Sequence, residues 1–477
     1  MSLPNVPPPT GRSLRGLLAG CALFAVVWAA FHLLLVWSVR DGLALGVFKP
    51  TDESLGAIPL YMQWREPHLK TGALIAAIVL AAFIGWFAKR GWGLGRPSRF
   101  VAACLLWQGA IVVSVATSPG GMHRLWRPYE LLTKTDYIGA VDRVGDPRAF
   151  LHDYPRLMSD LPMHCQTHPP GGVVFLWLVS QLFGPGAKPA ALATIATSLL
   201  ALPAVYALAR GTLPARSARF ATALWMLAPS IVLFSATCLD AVFMVPLVAS
   251  LAAAWHAREA HPWRRGALAG LLFSLGALLT FSASFVALWG LLVVSLTALI
   301  ERDKLATTLQ ALAAVLLAVA LFHAALYAWA GYDPWTVFQA AVAAHGRIMS
   351  GGNHASFRQH VLLASGNLAA FLAAAGISAS VLWMRNVASR TRWRERDRAA
   401  QVFDGSFVAA LAIIVAAPLY TLEVEHIWLF MVPLASIGAA RALSEDEASR
   451  PDNVALGALT MAAVQTLLME TLLSSVW

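Results

Sequence analysis

Apolar and polar positions in this chain alternate in long blocks rather than residue by residue. Apolar runs are separated by short stretches rich in charge, proline and glycine. A helix needs about 20 mainly apolar residues to cross the hydrocarbon of a bilayer. Thirteen segments read this way: 16–37, 71–88, 100–118, 188–209, 218–236, 239–256, 266–280, 283–300, 305–329, 361–383, 405–421, 426–441 and 455–474. A further apolar stretch, 173–183, lies between Pro169-Pro170-Gly171-Gly172 and Gly184-Pro185-Gly186. It is too short to span, and it predicts a helix lying at the interface. The first segment follows Arg12 and Arg15, and Leu17-Leu18-Ala19-Gly20-Cys21 has the form of a lipoprotein cleavage site. The apolar run continues well past Cys21, so the segment reads as an uncleaved anchor helix.

Composition fixes the class. Of 477 residues, 58% are hydrophobic and 13% charged, whereas soluble domains carry roughly 25% charged residues. A soluble enzyme, a disordered chain and a disulfide scaffold are excluded. The expected fold is an all-α polytopic membrane protein, a bundle of about 13 transmembrane helices with a large outer loop carrying juxtamembrane helices. The net charge of +10 is a matter of sidedness. With the N-terminus inside, inner segments hold 22 Lys/Arg and 10 acids, and outer segments 13 Lys/Arg and 15 acids. The inner face is +12 and the outer face −2, as the positive-inside rule requires. The run Arg385, Arg390, Arg392, Arg394, Arg396 and Arg398 falls on the inner side and reads as topology retention, not as a nucleic-acid patch. Six Lys against 29 Arg, and no N-x-S/T sequon, fit a bacterial inner membrane, with the C-terminus outside.

The expected spans hold almost no charge, which argues against the charged midplane of a transporter or flippase. The polar chemistry gathers outside. Nine of 13 His map there: His68, His123, His152, His164, His168, His345, His354, His360 and His426. The largest outer loop, 119–187, contains Thr135-Asp136-Tyr137 and, further on, Thr167-His168-Pro169-Pro170-Gly171-Gly172. Asp136 reads either as a helix N-cap or as a general base or metal ligand. Asp240 follows Cys238-Leu239 and reads either as a cap of helix 239–256 or as a second reactive carboxylate. Glu423, Glu425 and His426 stand at an outer helix start, where acids also complement the helix dipole. His164 and His168 are four apart, as two ligands on one helix face would be, but Pro169 and Pro170 disfavour a regular helix there. Cys165 and Cys238 both map outside, where a disulfide is chemically allowed.

An acidic residue followed by an aromatic in the outer loop after a membrane helix, then His168-Pro169-Pro170 opening an apolar stretch, resembles the GT-C membrane glycosyltransferases. The nearest type is glycosyltransferase family 39, the protein O-mannosyltransferases and lipid A aminoarabinose transferases. The resemblance continues through Ala221–Ser230, Ser235–Asp240, Gly266–Thr280, Trp335–Phe338 with His345-Gly346-Arg347 and His354, and Pro418–Pro433, covering roughly residues 100–440. Two positions depart from the family. Asp136-Tyr137 stands where Asp-Glu is frequent, and Thr280-Phe281-Ser282 stands where Thr-Lys-Gly is frequent, which removes a phosphate-binding cation. The hairpin 16–88 is additional to the usual arrangement.

The resemblance implies a division into an N-terminal tail and extra hairpin (1–99), a catalytic membrane core (100–360) and C-terminal helices (361–477). It implies transfer of a sugar from a polyprenyl-phosphate-linked donor to a lipid, glycan or protein acceptor at the outer, periplasmic face, with membrane lipid as a partner and no nucleic acid. Asp136 and Asp240 are the expected catalytic residues. Tyr137, His168, His345, Arg347, Arg358, Glu423, Glu425 and His426 are the expected substrate-binding set. Asp136, Asp240 and His345 are the expected ligands of a divalent cation (Mg, Mn or Zn). The remaining alternatives are a transporter or flippase of a lipid-linked glycan and a catalytically inactive relative.

Overall fold

A computed structural model describes residues 13–43, 45, 55–67, 71–236, 238–349, 356–389, 396–417, 420, 422–444 and 452–475. His68, His354, Arg390, Arg392, Arg394 and Pro418 lie outside the described residues. The chain is helical almost throughout. Among the described residues, nine helices are long and apolar enough to cross a membrane: Leu14–Arg40, Thr71–Gly91, Pro97–Thr117, Ala187–Arg210, Asp240–Ala257, Ala283–Ile300, Arg302–Ala330, Arg398–Ala416 and Asn453–Leu472.

The other four expected spans are built differently, for identifiable reasons. Segment 218–236 breaks into Ala215–Met226 and Pro229–Phe234; Pro229 has no N–H to continue the ladder. Segment 361–383 becomes Phe357–Ala374 and Ile377–Ala388, bent by 114° at Gly376, whose φ of 102° suits glycine. Segment 426–441 splits into a short turn, Val424–Ile427, and the helix Val432–Ser444. Segment 266–280 forms Pro262–Leu279, a helix whose first turn carries Arg264 and Arg265. The short stretch 173–183 forms the helix Gly171–Phe183, 13 residues long. At 1.5 Å per residue it reaches roughly 20 Å, less than a hydrocarbon core of about 30 Å.

Burial separates the lipid-facing helices from the core. In Leu14–Arg40 and Arg302–Ala330 only 11% and 17% of the apolar window is buried, against 67% in Asp240–Ala257. The last helix therefore sits in the middle of the bundle and carries Asp240 at its first turn. Between Pro262–Leu279 and Arg302–Ala330 the backbones approach through Gly266 and Gly270, where a Cβ would lie 2.6 Å from Ala311 O and 2.5 Å from Val315 O. Such small-residue seams replace the hydrophobic drive that lipid removes.

At one end of the bundle, arginines of the charged segments are held by defined partners. Arg396 and Arg441 reach Asp404 at 3.2 and 3.0 Å. Arg258 pairs with Glu301, and Arg385 donates to Gly16 O. At the opposite end, strand β1 (Met62–Trp64) pairs antiparallel with β2 (Leu473–Ser475). This pair ties the loop of the additional hairpin to the last helix.

Candidate functional site

The site is built at the end of the bundle where the loop 119–187 lies. Asp136 is 6% exposed and caps the short helix Tyr137–Arg143, its Oδ1 accepting from Tyr137 N at 2.6 Å. The same oxygen is 3.7 Å from His164 Nδ1. The capping role is therefore present, and the imidazole beside it makes it more than a cap. Tyr137 is driven into the core. Its ring packs edge-on to His168 and Phe243 at 5.8 Å each, and Gly172 makes room for it: a Cβ there would lie 2.9 Å from the ring. Burial, with the negative charges of Asp240 and Asp136, pushes the phenol pKa well up, so it stays a neutral donor.

Asp240 does not use its carboxylate as a cap. The helix Asp240–Ala257 starts without a side-chain cap bond. Asp240 Oδ2 instead lies 2.9 Å from His426 Nδ1 and accepts from Cys238 Sγ at 3.0 Å. Burial disfavours charge on His426. The hydrogen bond and charge of Asp240, with Glu425 and Glu423 nearby, outweigh it and hold the imidazole above its ordinary value. His168 behaves oppositely. Burial and the neighbouring His164 push it down to about 4, so it is neutral at pH 7, with Nδ1 3.0 Å from His164 O. The site thus holds one imidazole favoured as a cation and one kept neutral.

Glu423 and Glu425 precede His426 on a strained turn. Leu422 and Glu423 both have positive φ, 75° and 66°, a region costly for residues with a Cβ. Asn367 holds the turn from both sides, donating to Tyr420 O and accepting from Leu422 N, each at 3.1 Å. Glu425 Oε1 accepts from Tyr61 N at 2.6 Å, a contact made by the additional hairpin. Burial raises Glu425 to about 7 and raises Glu423 as well.

The structure thus gathers Asp136, Tyr137, His168, Asp240, Glu423, Glu425 and His426. It places three expected residues apart from them. His345 and Arg347 are exposed on the helix Pro334–Met349, which packs against Met163–Thr167, the element carrying His164. Arg358 points to the end of the first helix, 3.4 Å from Ser38 Oγ and over the Trp37 ring. Sequence reasoning missed Cys238 as a partner of Asp240, and also Ser282 and Tyr420, whose hydroxyls are 3.1 Å apart. The Thr280-Phe281-Ser282 stretch was the available signal for the latter pair. Cys165 and Cys238 are free thiols, not a disulfide.

Among the described residues, the group with ligand atoms close enough for one metal ion is Cys238, Asp240 and His426, all within 4.8 Å of one another. Of the expected ligand set only Asp240 belongs to it. Thiol, carboxylate and imidazole are donor types that zinc takes. Burial and Asp240 hold the Cys238 pKa well above its ordinary value, so the thiol has to lose a proton to serve as a ligand.

Residues 167–329 match the family model described as dolichyl-phosphate-mannose-protein mannosyltransferase. The match contains His168 and Asp240 and begins after Asp136. The chain resembles the Archaeoglobus fulgidus oligosaccharyltransferase solved with Zn and sulfate, at 14% identity over 77% of this chain and 53% of that one, with a TM-score of 0.51. It also resembles ArnT from Cupriavidus metallidurans bound to undecaprenyl phosphate, at 16% identity over 73% of this chain and 61% of that one, with a TM-score of 0.44. The chain thus spans little more than half the length of these solved proteins. No curated protein matches it. The fold defines the class as a polytopic, helical membrane protein, similar in fold to the oligosaccharyltransferase. Within that class the chain resembles glycosyltransferase family 39.

Proposed function

We propose that the protein is a membrane glycosyltransferase that moves a sugar from a polyprenyl-phosphate donor to an acceptor at the outer, periplasmic face of a bacterial inner membrane. The observation that carries this reading is the Asp240–His426 pair, with a second carboxylate, Asp136, and the buried Tyr137 that it caps at the same end of the bundle. The core of this activity is assigned to 100–360, with 361–477 supplying His426 and the turn that carries it and 1–99 packed beside them.

Direct displacement at the sugar carbon forms a bond to the acceptor oxygen and breaks the bond to the lipid phosphate. It needs a base for the acceptor proton and positive charge or donors at the leaving phosphate. Asp136 is assigned as the base. Its cap bond fixes one oxygen, and His164 restrains the same side. Asp240 favours the protonated form of His426, which suits the leaving phosphate, and His345 and Arg347, on the neighbouring helix, are assigned to substrate binding outside this centre. A divalent ion, when bound, would be held by Cys238, Asp240 and His426 and would polarise the leaving phosphate as a Lewis acid.

The test is transfer of labelled sugar from polyprenyl-phosphate donors in membranes. Asparagine caps a helix as well as aspartate, so Asp136→Asn removes the base and keeps the fold. Turnover is expected to fall by about a hundredfold or more at unchanged thermal stability. Equal turnover by wild type and variant would remove Asp136 from the mechanism.

A further inference from the structure

A second site lies at the same end of the bundle, outside the Asp136–Asp240 centre. A cleft of about 240 Å³ is lined by Arg65, Pro119, Gly120, His123, Arg124, Arg127 and Thr471. Three elements meet there: the loop of the additional hairpin, the segment just after the helix Pro97–Thr117, and the end of the last helix. Two of the three arginines are brought in by local devices. The β1–β2 pair places Arg65, whose N donates to Leu472 O at 3.0 Å and whose Nε donates to Thr471 O at 3.2 Å. Gly120 leaves room for Arg124: a Cβ there would come within 3.0 Å of its side chain.

The charges in the cleft do not balance. Glu470 lies 3.4 Å from Arg65 Nη2 and interacts electrostatically with both Arg65 and Arg124. Glu130 is taken by His123 at 2.8 Å. Neither Arg124 nor Arg127 has an ion-pair partner within 4 Å among the described residues. Arg124 is only partly exposed. Burial disfavours its charge, Glu470 offsets this in part, and Arg65 and Arg127 repel it. A partly buried guanidinium such as Arg124's, with no ion-pair partner within 4 Å, is costly. Its planar donor fork matches the oxygens of a phosphate.

We propose that Arg65, Arg124 and Arg127 form a binding site for a phosphate-bearing group, distinct from the Asp136–Asp240 centre. The additional hairpin then has a function of its own, since it supplies Arg65 and closes one wall. The cleft sits at the ends of two spanning helices, where both a lipid headgroup and a free phosphate can reach it. Binding here does not require that the Asp136–Asp240 centre transfers sugar.

The test is titration of the purified full-length chain in neutral detergent with three probes: inorganic phosphate, dioleoyl phosphatidic acid and dioleoyl phosphatidylcholine. Wild type is expected to prefer phosphatidic acid to phosphatidylcholine by about tenfold or more. The Arg124→Gln/Arg127→Gln pair is expected to lose that preference, and Arg124→Lys/Arg127→Lys to keep part of it because the charge remains. Inorganic phosphate competing with phosphatidic acid assigns the site to the free anion; binding only of the acyl-linked phosphate assigns it to a headgroup. Arg127 is exposed, so Arg127→Gln alone is a variant that folds, and it is expected to weaken phosphatidic acid binding about threefold. Equal affinity of wild type for the two lipids, or a preference unchanged in the glutamine variants, would overturn the proposal.

Discussion

Asp240 shows how far one residue's meaning depends on what the fold brings to it. In the sequence it is an acid at a helix start, equally fit to cap or to react. In the structure its carboxylate crosses 186 positions to meet His426 at 2.9 Å. Asp136 keeps both meanings, since one oxygen caps a helix and faces an imidazole. Cys238 was legible only as an outer thiol, because nothing in its neighbours announces a bond to Asp240. Glu425 yields a prediction at this scale. Burial raises its folded pKa to about 7 from an ordinary 4.5, so the folded state binds the extra proton between those values. Its contribution to stability is therefore complete at low pH and is lost as pH rises toward 7 and above. His168, pushed down, acts in the opposite sense, so the difference between wild type and Glu425→Gln is the informative quantity. Glutamine keeps the oxygen that accepts from Tyr61 N. The variant is expected to gain on wild type in thermal stability between pH 5 and 8, by on the order of 2 kcal/mol. A constant difference across that range would remove Glu425 as a titrating group.

At the scale of elements, hydropathy located the helices and failed where backbone chemistry intervenes. Nine of the thirteen expected spans are single long helices among the described residues. Of the rest, one is interrupted at Pro229, one is bent at Gly376, one is split between Ile427 and Val432, and one is the continuous helix Pro262–Leu279 with Arg264 and Arg265 in its first turn. Average apolarity does not register such breaks, because the residues that cause them are themselves compatible with an apolar run. The turn 422–423 matters most, since it aims Glu423 and His426. Two consecutive left-handed residues cost roughly 1–3 kcal/mol each, and Asn367 holds them with two side-chain bonds. Asn367→Ala is expected to destabilise the protein by about 1–3 kcal/mol and to lower transfer more than mild destabilisation alone does. Thermal unfolding and turnover measured on the same preparation check this. Unchanged turnover would show that the turn need not be held for function.

For the whole molecule, charge sorting gave a sidedness that the proposed mechanism uses: positive ends on one side, reactive groups on the other. Arg385 and Arg396 add a structural reason for part of the arginine-rich segment, since both are engaged by backbone or carboxamide partners. The additional hairpin was legible as an element but not as a contributor, because its contacts with Glu425 and the last helix are long-range. Sidedness is measurable. Ala149 and Arg398 are exposed and the four native cysteines are buried. Ala149→Cys is expected to react with an impermeant thiol reagent applied from the periplasmic side, and Arg398→Cys to react only after permeabilisation. The reverse pattern would invert the site map.

The central claim is that the Asp136–Asp240–His426 end of this bundle transfers sugar from a lipid-phosphate donor. Its most direct test is product formation by the purified chain in proteoliposomes, with polyprenyl-phosphate sugars and nucleotide sugars offered separately to wild type and Asp240→Asn. Wild type is predicted to use only the polyprenyl-phosphate donor, and Asp240→Asn to lose about a hundredfold or more of that turnover while remaining folded. Folded wild type that transfers from no polyprenyl-phosphate donor, or an Asp240→Asn variant with wild-type turnover, would contradict it.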